Sequence, residues 1–353
     1  MVSGYYGFNN NGDDALLLAL CEDIKREKDN ARVLVLSHRP KETKKIYRTD
    51  AVNRVNIFAL VKALKGAKVL LSGGGSLLQD ETSSKSLWFY FFVIKLAKLC
   101  NVKIMQFANV FGPVKRAFNC KLTARVINDC VDVITLRDTD SEKAMRDIGV
   151  TVPTCVTADP AMLLEGASEK ELCKLFEKEN IPNDSYIAVS VRDWKNNAPD
   201  FELSLSRAIR DFADRVDTNV IFVPMQYPHD VAISKRIAKK IGKRAFVPEG
   251  QVSIREAIGI IGNADLNIAM RLHSMIYSLS EGVKTIALRY DPKIDGFMNY
   301  VGLSDKVDVE TITKETLGDA LVKAFNKEIP DNSGELRKKA KINTLKAIDL
   351  ISK

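Results

Sequence analysis

Strand-length apolar runs alternate with longer helical patterns along the whole of this 353-residue chain, and no other feature constrains the fold as tightly. In the first half the runs are Arg32–Ser37, Ala67–Ser72, Val102–Ala108 and Val131–Leu136. In the second they are Ser185–Val191, Asn219–Pro224, Asp265–Met270 and Val283–Leu288. Unbroken Val/Ile/Leu runs between helices mark parallel strands covered on both faces, because an exposed face would demand alternation with polar residues. The predicted class is α/β: a doubly wound parallel sheet with helices on both faces, present twice. A boundary falls within Leu163–Leu172, where Ser168 caps a new helix and Glu171 stands three residues on. The expected units are residues 1–166, residues 167–330 and a final amphipathic helix over residues 331–353.

A hydrophobic content of 46% and a charged content of 28% fit a water-soluble globular chain. Six cysteines without a C-x-x-C pair argue against a zinc site and against a disulfide framework, and no metal cluster has ligand spacing. The start "MVSGYYGFNNNGDD" lacks a basic stretch followed by an apolar run, so no signal peptide is expected and the location is cytoplasmic. The formal charge of +8 favours acidic partners, but no zinc-finger or RNP-type motif points to nucleic acid. The segment Ser86–Cys100, "SLWFYFFVIKLAKLC", is too short as a helix to span a bilayer of about 30 Å. It reads as a buried helix, as a subunit contact in an oligomer, or as a membrane-facing patch beside a basic surface.

In open α/β sheets ligands lie beyond the carboxyl ends of the strands, so chemistry is sought there. "GYYGFNNNGDD" is a glycine-rich turn into a helix beginning near Asp13 or Asp14, an anion cradle or a simple cap at Asn11 or Asp13. Its spacing is not the dinucleotide fingerprint. Gly73, Gly74 and Gly75 follow a buried strand, and Ser76 offers a hydroxyl at the expected helix start, either for a ligand or as a cap. Arg137 follows a strand directly and reads as a substrate cation or as a structural partner of a carboxylate. Lys115 and Arg116 stand behind the Gly112–Pro113 turn, either as ligand cations or as a solvated basic face. In "MRLHSMIYS", Arg271 offers a planar fork for a carboxylate or phosphate, and His273 stands at a helix N-terminus, which favours the neutral imidazole of a base. Arg289 and Lys293 follow the next strand, giving a cationic rim suited to a multiply charged anion.

With these motifs in order the chain resembles the polysaccharide pyruvyl transferase family, in particular the bacterial branch that modifies S-layer-anchoring cell-wall polymers. The matching stretches are "SGYYGFNNNGDDALL", "LLSGGGSLLQD", "NVFGPV", "ITLRD", "TADPAMLL", "MRLHSMIYS" and "RYDPKIDGF". The family more often carries Gly near Asn9 and Glu at Asp14. The resemblance implies two facing Rossmann-like domains of the glycosyltransferase-B type, the first on the acceptor side and the second on the phosphoenolpyruvate side. It implies transfer of pyruvate from phosphoenolpyruvate to a sugar as a cyclic ketal, with no cofactor. In the cell-wall branch the acceptor is similar to a lipid-linked disaccharide ending in N-acetylmannosamine, which gives Ser86–Cys100 a use as a peripheral contact with the inner leaflet. The family's R-L-H motif falls on Arg271 and His273, and its lysine after the following strand falls on Lys293. On that basis His273 is the expected general base and Arg271 and Lys293 hold the donor with support from Arg289; Asp14 or a relay through His273 supplies the proton for the methylene carbon. The competing readings are a nucleotide-sugar-dependent glycosyltransferase and a non-catalytic glycan- or lipid-binding protein on the same scaffold.

Overall fold

The computed structural model describes residues 1–81, 83–328 and 333–352, with the side chains of Pro292 and Lys293 outside that description. The chain divides into two units, Met1–Leu163 with Glu335–Lys353, and Leu164–Gly334. In the first unit the strands are β1 (Val2–Ser3), β2 (Leu34–Ser37), β3 (Asp50–Asn53), β4 (Val69–Gly75), β5 (Lys103–Asn109), β6 (Val133–Leu136) and β7 (Thr154–Val156). Its helices are α1 (Asn11–Glu27), α2 (Pro40–Tyr47), α3 (Ile57–Lys65), α4 (Ser84–Leu99), α5 (Ala117–Cys130) and α6 (Thr139–Asp147). The seven strands form one parallel sheet in the order β3-β2-β1-β4-β5-β6-β7. One face is sealed by Leu60, Leu64, Phe91, Ile94 and Ile127 of α3, α4 and α5. The other is sealed by Leu17, Leu20 and Ile24 of α1, together with Ala347 and Leu350.

The second unit holds α7 (Glu169–Glu179), β8 (Tyr186–Ser190), α8 (Phe201–Val216), β9 (Asn219–Phe222), α9 (His229–Ile241), β10 (Ala245–Phe246) and α10 (Ile254–Gly262). It continues with β11 (Leu266–Ala269), α11 (Leu272–Glu281), β12 (Thr285–Arg289), α12 (Pro292–Val301), β13 (Lys306–Asp308) and α13 (Lys314–Phe325). Its sheet is also parallel, in the order β10-β9-β8-β11-β12-β13. Local chemistry sets the helix ends: Ser253 and Glu256 form a capping box on α10, and α11 stops at Gly282 with φ +71°. The last helix, α14 (Ser333–Ser352), packs on the first unit. There Lys341 pairs with Asp23 at 2.5 Å and Glu27 at 2.6 Å, and the Asn343 amide donates to the Ala158 carbonyl at 3.0 Å.

The eight expected strands are all present, within a few residues of their expected ends. The remaining five are short, and β1, only two residues long, is nonetheless a central strand because Val2 pairs with both Val35 and Leu71. Strand order reverses at β1/β4 in the first sheet and at β8/β11 in the second. A crevice opens at such a switch point because the flanking crossovers run to opposite sides, and ligands of doubly wound folds bind there.

Candidate active site at the strand ends

In the first unit the switch point is lined by the loop after β1 and by the triple glycine that ends β4. A Cβ on Gly73 would lie 2.7 Å from the Phe107 Cβ, and one on Gly75 would lie 2.6 Å from Asp13 Oδ1. Gly74 and Gly75 both have φ +81°. The glycines therefore let β4 pass close to β5 and to the start of α1, and the Tyr6 hydroxyl donates to the Gly73 carbonyl at 2.7 Å. Gly73, Gly74 and Gly75 are buried, while Ser76 is exposed and stands eight positions ahead of Ser84, the first residue of α4, rather than opening that helix. The cap of α1 is Asn10, whose side chain accepts from the Gly12 amide at 3.2 Å; Asn11 is the first helical residue. Asn9 takes φ +56°, a left-handed conformation that Asn tolerates.

Asp14 turns to the Tyr47 hydroxyl, and burial pushes its carboxyl from 3.8 to about 6 against the pull of that hydrogen bond. Asp13, by contrast, stands beside Gly75 and acts on the Tyr5, Tyr6 and Tyr90 hydroxyls. Tyr5, Phe8 and His38 stack in parallel, with centroids 4.1 and 4.8 Å apart, and Arg54 lies 4.3 Å from the Phe89 ring and 5.6 Å from Phe8. Arg137 is buried and paired with Asp159, whose other oxygen accepts from the Ala161 amide at 2.8 Å. Arg116 is exposed; its backbone amide and that of Lys115 donate to the buried Asp80 at 3.1 and 2.8 Å. Asp159 ties the Arg137 side chain into the first unit's frame, whereas Arg116 joins that frame through its backbone amide and its side chain stays exposed.

In the second unit three adjacent strands present cations at one edge. Arg192 follows β8, Arg271 and His273 follow β11, and Arg289 ends β12. The register Ser190–Ala269–Ala287 puts the three strand ends side by side at the switch point. Arg271 is locked in a fork: its Nε donates to Asp230 Oδ2 at 2.9 Å, and Nη2 contacts Asp230 Oδ1 and, at 3.1 Å, Gln226 Oε1. Asp230 is buried, so this pair fixes the guanidinium plane, and the bonds to Asp230 and Gln226 use only Nε and Nη2. Arg289 spends Nε on Asp295 at 2.9 Å and Nη1 on Asp308 at 2.8 Å. Asp295 and Asp308 together hold the guanidinium more firmly charged than usual.

Arg192 differs. Its guanidinium sits 5.2 Å from both the Trp194 and Tyr290 ring centroids, its Nε makes no hydrogen bond, and no ion pair among the described residues involves it. Two aromatic faces hold a cation while leaving its donors unspent. His273 is half-buried in the first turn of α11, with its ring 6.3 Å from that of Tyr277. Lys293 lies in the first turn of α12, and its side chain is outside the described residues. Among the described residues no group of three His, Cys, Asp or Glu could hold a metal ion. Sequence reasoning did not single out Arg192 or Asp230, and it read Asp13 only as a helix start or cap. The signal for Arg192 was its place two residues past β8, in "SVRDW".

The sequence profile of the family described as Polysaccharide pyruvyl transferase matches residues 10–292, and the chain belongs to that family. No functionally curated protein matches. Among solved structures the chain is similar to a UDP-GlcNAc 2-epimerase from Methanocaldococcus jannaschii (11% identity, TM-score 0.68, 99% of this chain and 98% of that one). It is also similar to a UDP-GlcNAc 2-epimerase from Neisseria meningitidis bound to UDP-GlcNAc (10%, TM-score 0.64, 99% and 99%). A glycosyltransferase from Rickettsia africae aligns over 99% of this chain and 94% of its own, at 13% identity and TM-score 0.58. These likenesses place the fold among the glycosyltransferase-B-like enzymes.

Proposed function

We propose that this member of the polysaccharide pyruvyl transferase family moves the pyruvyl group of phosphoenolpyruvate onto two hydroxyls of one sugar as a cyclic ketal. The observation that carries the reading is the carboxyl end of the second sheet, where Arg192 follows β8 and Arg271 and His273 follow the adjacent β11 at the switch point, with no ion pair to Arg192 among the described residues. Phosphoenolpyruvate carries a carboxylate and a phosphate, and fixed guanidinium forks suit both. Arg192 and the remaining donors of Arg271 hold the two anionic groups, with Lys293 and Arg289 in support. Because Asp230 and Gln226 fix Arg271 before the donor arrives, little ordering is needed on binding.

The methylene carbon takes up a proton and the central carbon becomes electrophilic. His273 accepts the proton of the first hydroxyl as that oxygen bonds to the central carbon. The carbon–oxygen bond to phosphate then breaks, and the second hydroxyl closes the ring. One hydroxyl proton ends on the new methyl group and the other leaves with phosphate. Asp14 is engaged by Tyr47, so the proton reaching the methylene carbon is assigned to relay through His273.

The first unit supplies acceptor contacts of another kind. The parallel Tyr5–Phe8–His38 stack, with Tyr5 39% exposed, offers an aromatic face to a sugar ring, and Asp13 offers a carboxylate to its hydroxyls. The acceptor that fits the family branch is a lipid-linked disaccharide ending in N-acetylmannosamine, for a cell-wall polymer that anchors an S-layer. The test is mass spectrometry of a synthetic lipid-linked disaccharide incubated with phosphoenolpyruvate, alongside an incubation with UDP-GlcNAc. One pyruvyl ketal with one phosphate released supports the proposal; UDP release without a ketal overturns it in favour of glycosyl transfer.

A further inference from the structure

Helices α3, α4 and α5 cover one face of the first sheet, and their outward surface is unlike the rest of the chain. Inward they bury Leu60, Leu87, Ile94 and Ile127. Outward they leave Phe58 89%, Phe118 68%, Trp88 47% and Phe92 44% exposed. The aromatics share one side of the unit: Arg54 at the entry to α3 lies over Phe89 of α4, and the Trp88 indole donates to Asn119 of α5 at 3.0 Å. Trp88, Phe92, Lys95 and Leu99 run along a single exposed stripe of α4, at the three- and four-residue steps that bring side chains together. The three helices carry seven lysines and arginines against one acid, Asp129, which pairs with Arg125 at 3.6 Å. The whole chain has 53 basic against 45 acidic residues, so the imbalance is local to this face.

We infer that this face docks on a bilayer surface containing anionic lipid, with the four aromatic side chains at the headgroup boundary and Lys62, Lys85, Lys95 and Lys121 against lipid phosphates. Tryptophan and phenylalanine side chains flanked by lysine favour that boundary, where the rings reach the acyl chains and the ammonium groups meet the headgroups. Neither signal holds a protein on a membrane alone, but the two together do. A symmetric dimer through the same face is disfavoured, because a two-fold axis sets the patch against itself and brings seven cations against seven. Among the described residues no helix is long and apolar enough to cross a membrane, so the contact is peripheral. This inference deepens the reading of a lipid-linked acceptor. Its test uses neither donor nor acceptor, so its failure leaves pyruvyl transfer untouched.

The chain has two tryptophans, Trp88 and Trp194. In the full-length Trp194→Phe variant, Trp88 alone reports. Vesicles of phosphatidylglycerol and phosphatidylcholine should shift its emission to the blue and shield it from acrylamide, while phosphatidylcholine alone should not. Raising salt from about 0.1 to 0.5 M, which shortens the screening length to a few ångströms, should weaken co-sedimentation at least tenfold. Phe58→Glu with Phe118→Glu should abolish binding, and Lys85→Glu with Lys121→Glu should do the same; all four positions are exposed, and an unchanged circular dichroism spectrum checks folding. The inference is overturned if either double variant binds anionic vesicles like the parent. It is equally overturned if light scattering shows a dimer that shields Trp88 without vesicles, or if an oligonucleotide moves Trp88 emission and vesicles do not.

Discussion

Asp14→Asn isolates a carboxyl in the first-unit site whose charge the fold opposes. Burial raises the Asp14 carboxyl from 3.8 to about 6, and the Tyr47 hydroxyl bonded to it recovers only part of the lost solvation. At 1.36 kcal/mol per pH unit, a rise of about two units corresponds to about 3 kcal/mol. Asp14 lies in the first turn of α1, where the helix dipole favours a carboxylate by up to about 1 kcal/mol, leaving about 2. The folded pKa is the higher one, so between about pH 4 and 6 the native state binds more protons than the unfolded chain. This contribution is fully present below the unfolded value, falls as pH rises through the folded value, and is flat above it. Asparagine stands in for the protonated carboxyl and keeps an oxygen for Tyr47. Urea unfolding should therefore find the variant more stable by about 2 kcal/mol at pH 7.5 and by about half as much at pH 5, where part of the penalty has developed. A gap that does not change between those pH values, or a variant less stable at pH 7.5, would refute the reasoning.

His273→Ala should lower turnover by about 10²–10⁴ while the KM for phosphoenolpyruvate stays nearly constant, as expected of a base that acts on the acceptor hydroxyl. Steady-state kinetics with varied donor separate this from a binding role, which would raise KM alone. Arg192→Ala should weaken donor binding by roughly 10- to 100-fold, the worth of a hydrogen bond to a charged group. Because Arg192 lies over Trp194, the parent's indole emission should respond to phosphoenolpyruvate, and the variant's should not. Asp230→Ala strands the Arg271 guanidinium, only 14% exposed, and should cost about 3–5 kcal/mol in urea unfolding. Gly75→Ala forces a side chain into φ +81° against Asp13 and should cost about 1–2 kcal/mol or more, read as a fall in melting temperature.

The long buried strands were legible because both faces of each are covered, which writes an unbroken apolar run such as "VLVLS" at 33–37. Val2–Ser3 was not, because two residues carry no period, although pairing on both sides makes that strand central. Ser168 and Glu171 were read correctly because a capping box is a local event: the Ser168 amide donates to Glu171 at 2.8 Å. The start of α1 was read two or three positions late because three consecutive asparagines, any of them a good cap, precede Gly12. The triple glycine was legible as a place where backbone must come close to something. That something is Phe107, Leu16 and Asp13, residues 34 to 62 positions away in the sequence, and no local pattern names them.

The same limit explains why a count of strand-end cations misjudges the site. Arg137, Arg271 and Arg289 look alike in the sequence, each following an apolar run. In the fold Asp159 neutralises the first, Asp230 the second, and Asp295 with Asp308 the third. A guanidinium with its charge already balanced orients a ligand without attracting it strongly, since the field of the pair falls off faster than that of a lone charge. Attraction falls to a cation held by something uncharged, and the rings of Trp194 and Tyr290 hold Arg192 in that way. Under the proposed pyruvyl transfer a division of labour at the second sheet's switch point follows: Arg271 would fix geometry, Arg192 would supply unbalanced charge, and His273, in the first turn of α11, would move the proton. Conserving charge while breaking the fork, or conserving the fork while removing the rings, would disturb different steps of one reaction.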